Sequence, residues 1–308
     1  MVYIISNSKV AKEVLKNCEV IMNLDNLSPI VVFTYKRLSH TVKTIDALKK
    51  NIYADKSILY IFSDAPKSDK DESAVNEVRE YIHSITGFKK AVVIERARNY
   101  GLAENIISGV TEIVNKHGKV IVLEDDMVTS KYFLKYMNDA LDLYEENKDV
   151  IEISGYMYPI AHKDILPQTW FLYRYADCWG WGTWKDRWDL YEKDTKKLIS
   201  SFSKDDIRFL NFDDSVNLWD QVIQNDQGTL RTWAIFWHTT AYCNNKYTLV
   251  PSQSLVFNIG VDGSGENCGT ASSYDVCLLD EPVEHYPFSV EDNEAGRKQI
   301  ITFFSNMK

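Results

Sequence analysis

A chain of 308 residues with 45% hydrophobic and 26% charged residues has enough apolar material for a core and too much for a disordered chain. Its 44 acidic residues outnumber 35 basic ones, leaving a net charge of -9; that argues against a nucleic acid partner, which needs a basic surface, but not against a nucleotide. No apolar run reaches the ~20 residues that cross a bilayer, the opening Met1-Val2-Tyr3-Ile4-Ile5-Ser6 has no charged leader pattern, and the five scattered cysteines (Cys18, Cys178, Cys243, Cys268, Cys277) suggest neither disulfides nor zinc, so a cytoplasmic protein with reduced thiols is expected.

Residues 1 to 27 read as an appendage, a strand and a short helix around Val10, Val14 and Cys18, with no assigned function. From Pro29 a rhythm begins. The buried-strand run Pro29–Phe33 is followed by Leu38, Val42, Ile45 and Leu48 at helical spacing, and Ser57–Phe62 by Val75, Val78 and Ile82. Ala91–Ile94 then precedes Leu102, Ile106, Val110 and Ile113, and Lys119–Leu123 precedes Phe133, Met137, Ala140 and Tyr144, before a further strand at Val150–Ile153. Strands alternating with helices predict an α/β fold, a Rossmann-like and mostly parallel sheet flanked by helices, with ligands at the carboxyl ends of the strands. No Gly-x-Gly-x-x-Gly follows the first strand and no Gly-x-x-x-x-Gly-Lys-Ser/Thr occurs, so a dinucleotide-binding dehydrogenase and a P-loop NTPase lose their usual support.

Near residue 155 the character changes to an irregular, aromatic-rich half. All eight tryptophans lie between Trp170 and Trp237. Most of them should fill a core. Trp181, between two glycines that permit close backbone approach, is the best candidate for a ring on which a sugar packs.

The strand ends carry the polar groups. Thr34 and Arg37 follow the first strand, Ser63 and Asp64 the second, Arg96, Arg98 and Asn99 the third, and Glu124-Asp125-Asp126 the fourth. Three adjacent carboxylates repel unless something positive binds them. Mg or Mn takes one or two protein carboxylates and completes its shell with water and phosphate oxygens; the alternative is that the acids complement the dipole of the next helix, capped by Thr129 or Ser130.

The run Pro29–Arg37, the pair Ser63-Asp64, the Arg98-Asn99-Tyr100-Gly101-Leu102 turn and Val122-Leu123-Glu124-Asp125-Asp126 resemble, in order, bacterial sugar transferases of the GT-A fold, glycosyltransferase family 2 in type. They are also similar to the Golgi N-acetylglucosaminyltransferase I group, with its Glu-Asp-Asp form of the Asp-x-Asp motif. The similarity continues through Trp179–Trp188, Thr232-Trp233-Ala234 and Ser254–Gly265, and spans about residues 28 to 270. It implies residues 28–154 as a nucleotide-sugar-binding half and 155–308 as the acceptor-binding half of the same GT-A domain.

The resemblance further implies a UDP-linked sugar donor bound by Thr34, Arg37, Asp64, Arg98, Asn99, Glu124 and Asp125. Arg37 would lie near the uracil, Asp64 near the base or ribose, and Asp126 would be the direct ligand of Mn or Mg. The acceptor is a glycan or lipid-linked glycan of surface-polysaccharide assembly, which would bring peripheral membrane association. The Gly-rich segment from Asn258 through Asp262 and Gly263 to Gly265 would order over the diphosphate as a lid. One position departs from the pattern: an inverting aspartate is expected two residues before Trp233, and Arg231 stands there. Arginine does not take up a proton at neutral pH, which leaves Asp226, Asp220 and Asp186 as candidate bases. The rival functions are a nucleotidyltransferase making the nucleotide sugar, and a catalytically inactive glycan-binding relative.

Overall fold

The computed structural model describes residues 26–265 and 272–307. Val10, Val14, Cys18 and Cys268 lie outside the described residues. The chain forms a mixed α/β fold around one eight-stranded sheet. Strands β1 (Ile30–Thr34), β2 (Ile58–Ser63), β3 (Lys90–Glu95) and β4 (Lys119–Glu124) run parallel in the order β3-β2-β1-β4. The sheet is extended past β4 by strands from further along the chain.

After β4 a short strand β5 (Met127–Thr129) leaves the sheet; β6 (Val150–Ser154), β7 (Thr169–Tyr173), β8 (Trp181–Trp184) and β9 (Tyr247–Pro251) complete it in the order β4-β8-β6-β9-β7. β8 runs antiparallel to both β4 and β6, β9 is parallel to β6, and β7 is antiparallel to β9. The sheet is thus mostly parallel, with β7 and β8 reversed.

Because side chains alternate along a strand, the same apolar runs feed two cores. On one face Ile30, Val32, Leu59, Ile61, Ile121 and Leu123 pack with helices α1 (Leu38–Lys49), α2 (Asp69–His83) and, further along the chain, α4 (Phe133–Leu143). On the other, Val31, Phe33, Tyr60, Phe62, Val120 and Val122 meet α3 (Gly101–His117), the short α5 (Lys185–Trp188) and, after α6 (Thr195–Ser201), α7 (Lys204–Leu210) and α8 (Trp219–Asp226), the buried helix α9 (Ala234–Cys243). Helix α10 (Glu294–Ser305) closes the β7 edge. Among the described residues no helix is long and apolar enough to cross a membrane.

Between β4 and α4 the sequence predicts a plain crossover; the structure instead has a two-stranded ribbon, β5 paired antiparallel with β10 (Val256–Asn258), with Asn258 opposite Met127. Nor do Thr129 or Ser130 cap α4 as an N-cap residue. Ser130 Oγ accepts from Tyr132 N (3.2 Å), while the first turn is tied from outside by buried Asn51, whose Oδ1 accepts from Leu134 N (2.9 Å) and whose Nδ2 donates to Thr129 Oγ1 (2.9 Å).

Candidate functional site

The carboxyl end of β4 delivers Glu124, Asp125 and Asp126 into the turn before β5, with Asp125 and Asp126 almost fully buried. Arg37, at the exit of the neighbouring β1, lies over them. Its Nη2 donates to Asp126 Oδ2 (2.6 Å) and to Asp125 Oδ1, and its Nε reaches Asp125 Oδ2 (3.5 Å). Thr44 of α1 donates to the Asp125 carbonyl (2.8 Å), fixing the turn.

Burial and the neighbouring acids hold the Glu124 and Asp125 carboxyls above the usual carboxylate range, with Arg37 opposing. Burial pulls the Arg37 guanidinium down, and Asp125 and Asp126 more than offset it. Asp126 Oδ1 is buried without a hydrogen-bond partner. Such an acceptor is costly to leave unmade, so a positive ligand there would be stabilised.

The β5–β10 ribbon carries the segment 258–265 directly onto these acids. Ile259 N donates to the Asp126 carbonyl (2.9 Å) and Asn258 Oδ1 accepts from Gly260 N (2.7 Å). A Cβ on Gly260 would stand 2.0 Å from Asp126 Oδ2, so the backbone approaches as closely as only glycine allows. Asp262 pairs with His40 Nε2 of α1 (3.1 Å) and accepts from Ser264 N (2.9 Å), its pKa held low by Ser264 first and then by His40. Gly263 takes a left-handed φ of +84°, and Arg37 Nη1 reaches Ser264 Oγ (3.5 Å). Gly260, His40 and Ser264 were not legible as site residues, because pairing through a three-residue ribbon leaves no periodic signal.

Other rim residues are taken up internally, which corrects their expected donor contacts. Asp64 accepts from Ala65 N, Tyr100 N and Gly101 N (each 2.9 Å) and from Asn99 Nδ2 (3.2 Å). That saturates a carboxylate, so Asp64 and Asn99 pin the β3–α3 turn to the end of β2 and do not present free groups to a ribose. Thr34 Oγ1 donates to the Phe62 carbonyl (3.4 Å). Arg98 is exposed, paired with Glu104 (2.7 Å) and stacked on Tyr100. Arg96 turns back onto α3 through Asn105 and Ser108.

The candidate bases are corrected as well. Lys119, at the start of β4, pairs with Trp184, so Asp186 in the next turn lies at the amino end of β4, opposite the acids, and is engaged by Lys148 (3.0 Å) and Arg187 (2.7 Å). Asp220 accepts from Gln224 of its own helix, and Asp226 accepts from Thr195 of α6 (2.7 Å); these exposed bonds belong to the α6–α8 layer. Arg231 is exposed.

Trp181 is no sugar platform. It is fully buried, stacked on Trp233 (5.3 Å) and packed on Trp188 and Trp237. Its flanking glycines serve packing: a Cβ on Gly180 would meet Val256 at 2.5 Å, and one on Gly182 would meet Met137 at 2.9 Å.

Among the described residues no group of three or more His, Cys, Asp or Glu side chains is gathered as a ready-made metal cage. Two buried aspartates with an orphaned oxygen instead suit Mg or Mn, which keep water and substrate oxygens in their shell.

No protein-family model matches the chain, and no curated protein does. Solved structures similar to it include S. aureus TarS 1–349, with TM-score 0.43 and 12% identity over 75% of this chain and 59% of that one. The same TarS piece in complex with UDP-GlcNAc gives 0.41 and 12% over 74% and 57%. The mannosyltransferase PcManGT from Pyrobaculum calidifontis, in complex with GDP-Man and Mn2+, gives 0.38 and 14% over 70% and 69%. The chain thus spans 59% of the length of the first of these proteins.

Proposed function

We propose that this chain is a glycosyltransferase that moves a hexose or N-acetylhexosamine from a UDP-linked diphospho-sugar to a hydroxyl of a glycan, with inversion, in surface-polysaccharide assembly. The observation that carries the reading is the buried, unpartnered Asp126 Oδ1 at the end of the central parallel strand, beside Arg37 and under the Gly260 backbone. Ligands of parallel α/β sheets sit at this edge. Asp126, with Asp125, would hold a Mn or Mg ion, which when bound supplies charge neutralisation for a departing diphosphate.

The chain's own residues have separate tasks. Arg37 is within reach of both the acids and the segment above them, so it neutralises the aspartates and is placed to pair with a phosphate oxygen. Segment 258–265 excludes water from that space. Glu124, half-buried and proton-retaining, faces the same rim.

The test is thermal stabilisation of the full chain by UDP and, separately, GDP, each with MnCl2 or with EDTA. Manganese should be required for the larger shift, and Asp126→Asn should remove that requirement and sugar transfer while circular dichroism stays unchanged. Equal manganese-dependent stabilisation of the Asp126→Asn chain would overturn the assignment.

A further inference from the structure

A third carboxylate stands at the same edge of the sheet, and neither the acids of β4 nor the surface candidates explain it. Asp177 lies in the strap between β7 and β8. Its Oδ1 accepts from Cys178 N (2.6 Å) and Trp179 N (3.4 Å), and its Oδ2 accepts from Ser154 Oγ (3.3 Å), at the carboxyl end of β6. Ser154 pairs with Trp181 and Trp181 with Val122. Two strand spacings across and two residues along therefore separate Ser154 from Glu124, which places the two strand ends about 12 Å apart. That span is of the size a sugar and a diphosphate would bridge.

The strap is held against α9, the helix whose N-terminal approach carries Arg231 in place of a carboxylate. Buried Glu152 accepts from Asp177 N (2.8 Å) with one oxygen and from Trp237 Nε1 with the other. Of the eight tryptophans only Trp179, next to Asp177, and Trp219 are partly exposed. Tyr156 (4.6 Å) and Tyr274 (5.7 Å) meet the Trp179 ring edge-on.

We propose that Asp177 takes the proton of the acceptor hydroxyl, beside an aromatic wall that includes Trp179; this rests on the glycosyltransferase reading above. The hydroxyl proton passes to the Asp177 carboxylate as the oxygen forms its bond to the anomeric carbon. The bond from that carbon to the diphosphate oxygen breaks, and its electron pair leaves with the nucleoside diphosphate. Tyr156, Tyr158, Tyr175, Tyr274, Cys178 and Glu152 are the titratable groups around Asp177. Burial pushes its carboxyl up to about 6, against the lowering hydrogen bonds from Cys178 and Trp179, a value suited to a base at neutral pH.

The test compares full-length Asp177→Asn and Asp177→Ala with the unmodified chain. UDP with MnCl2 is the binding probe. UDP-sugars with a panel of p-nitrophenyl glycosides serve for transfer, and sodium azide is an acceptor that carries no proton. Expected are undiminished nucleotide stabilisation, transfer lowered about 100- to 10,000-fold, and loss of the acid limb near pH 6 from the rate profile. Azide should restore UDP release in Asp177→Ala with a glycosyl azide of inverted configuration, which a merely structural aspartate would not give. Transfer at the unmodified rate, or loss of nucleotide stabilisation together with transfer, overturns the role of Asp177. If the unmodified chain is not stabilised by any nucleotide with manganese, the donor reading itself falls, and this assignment falls with it.

Discussion

Arg37 is the residue on which the site balances. Its side chain is 19% exposed, against 6% and 7% for the Asp125 and Asp126 side chains it bridges. Removing one partner of a buried ion group leaves uncompensated charge, at a cost of about 3–5 kcal/mol. Arg37→Gln should therefore lower stability in EDTA by that order, measured by urea unfolding, and should raise the stabilisation gained from MnCl2, because the cation no longer competes with a guanidinium. An unchanged manganese increment would show that Arg37 and the metal do not share the aspartates. The Trp181 assignment failed at the same scale and for an instructive reason. Glycine beside an aromatic is compatible both with ligand approach and with tight strand packing, and the neighbours that decide between these, Val256 and Met137, are distant in sequence.

At the level of elements, the ribbon formed by β5 and β10 is what turns a row of acids into an enclosed site. Gly260→Ala would put a methyl group 2.0 Å from Asp126 Oδ2, so the segment must lift. Expected are loss of most of the manganese-dependent nucleotide shift and a change in melting temperature of only a few degrees, since the lost contacts are at the surface end of a short ribbon. A variant with full nucleotide stabilisation would mean that the segment does not cover the donor. The strands and helices of residues 29–154 were legible because their apolar periods of 2 and 3.6 persist over a full element. β5 and β10, three residues each, are too short for any period to register. The capping of α4 was invisible because Asn51 reaches it across 83 positions. Asp64 was singled out correctly as a strand-end carboxylate, yet its donors are the backbone N–H groups of a turn, which no side-chain pattern announces.

Over the whole molecule, the charge pattern sets an unusual response to pH. Buried carboxyls at Glu124, Asp125, Glu152 and Asp177 are raised, each chiefly by burial, while Asp206 and Asp262 are lowered to about 2 by hydrogen bonds. A raised group favours the fold fully below its unfolded value, near 4, and that contribution is lost as pH rises through the folded value, about 6 for Asp177. The lowered groups act the other way, but their contribution is lost only as pH falls from about 4 toward 2. Between pH 5 and 7.5 the raised acids therefore dominate. In EDTA the melting temperature should fall across that interval, and Asp177→Asn should flatten the slope by roughly 1–3 kcal/mol, one pKa unit being worth 1.4 kcal/mol. Manganese should act in the opposite sense, its increment growing with pH, because carboxylate ligation requires the deprotonated form. A melting temperature that climbs from pH 5 to 7.5 in EDTA would show that these buried carboxyls are already ionised in the fold, and that the positive charge of Arg37 outweighs burial throughout the site.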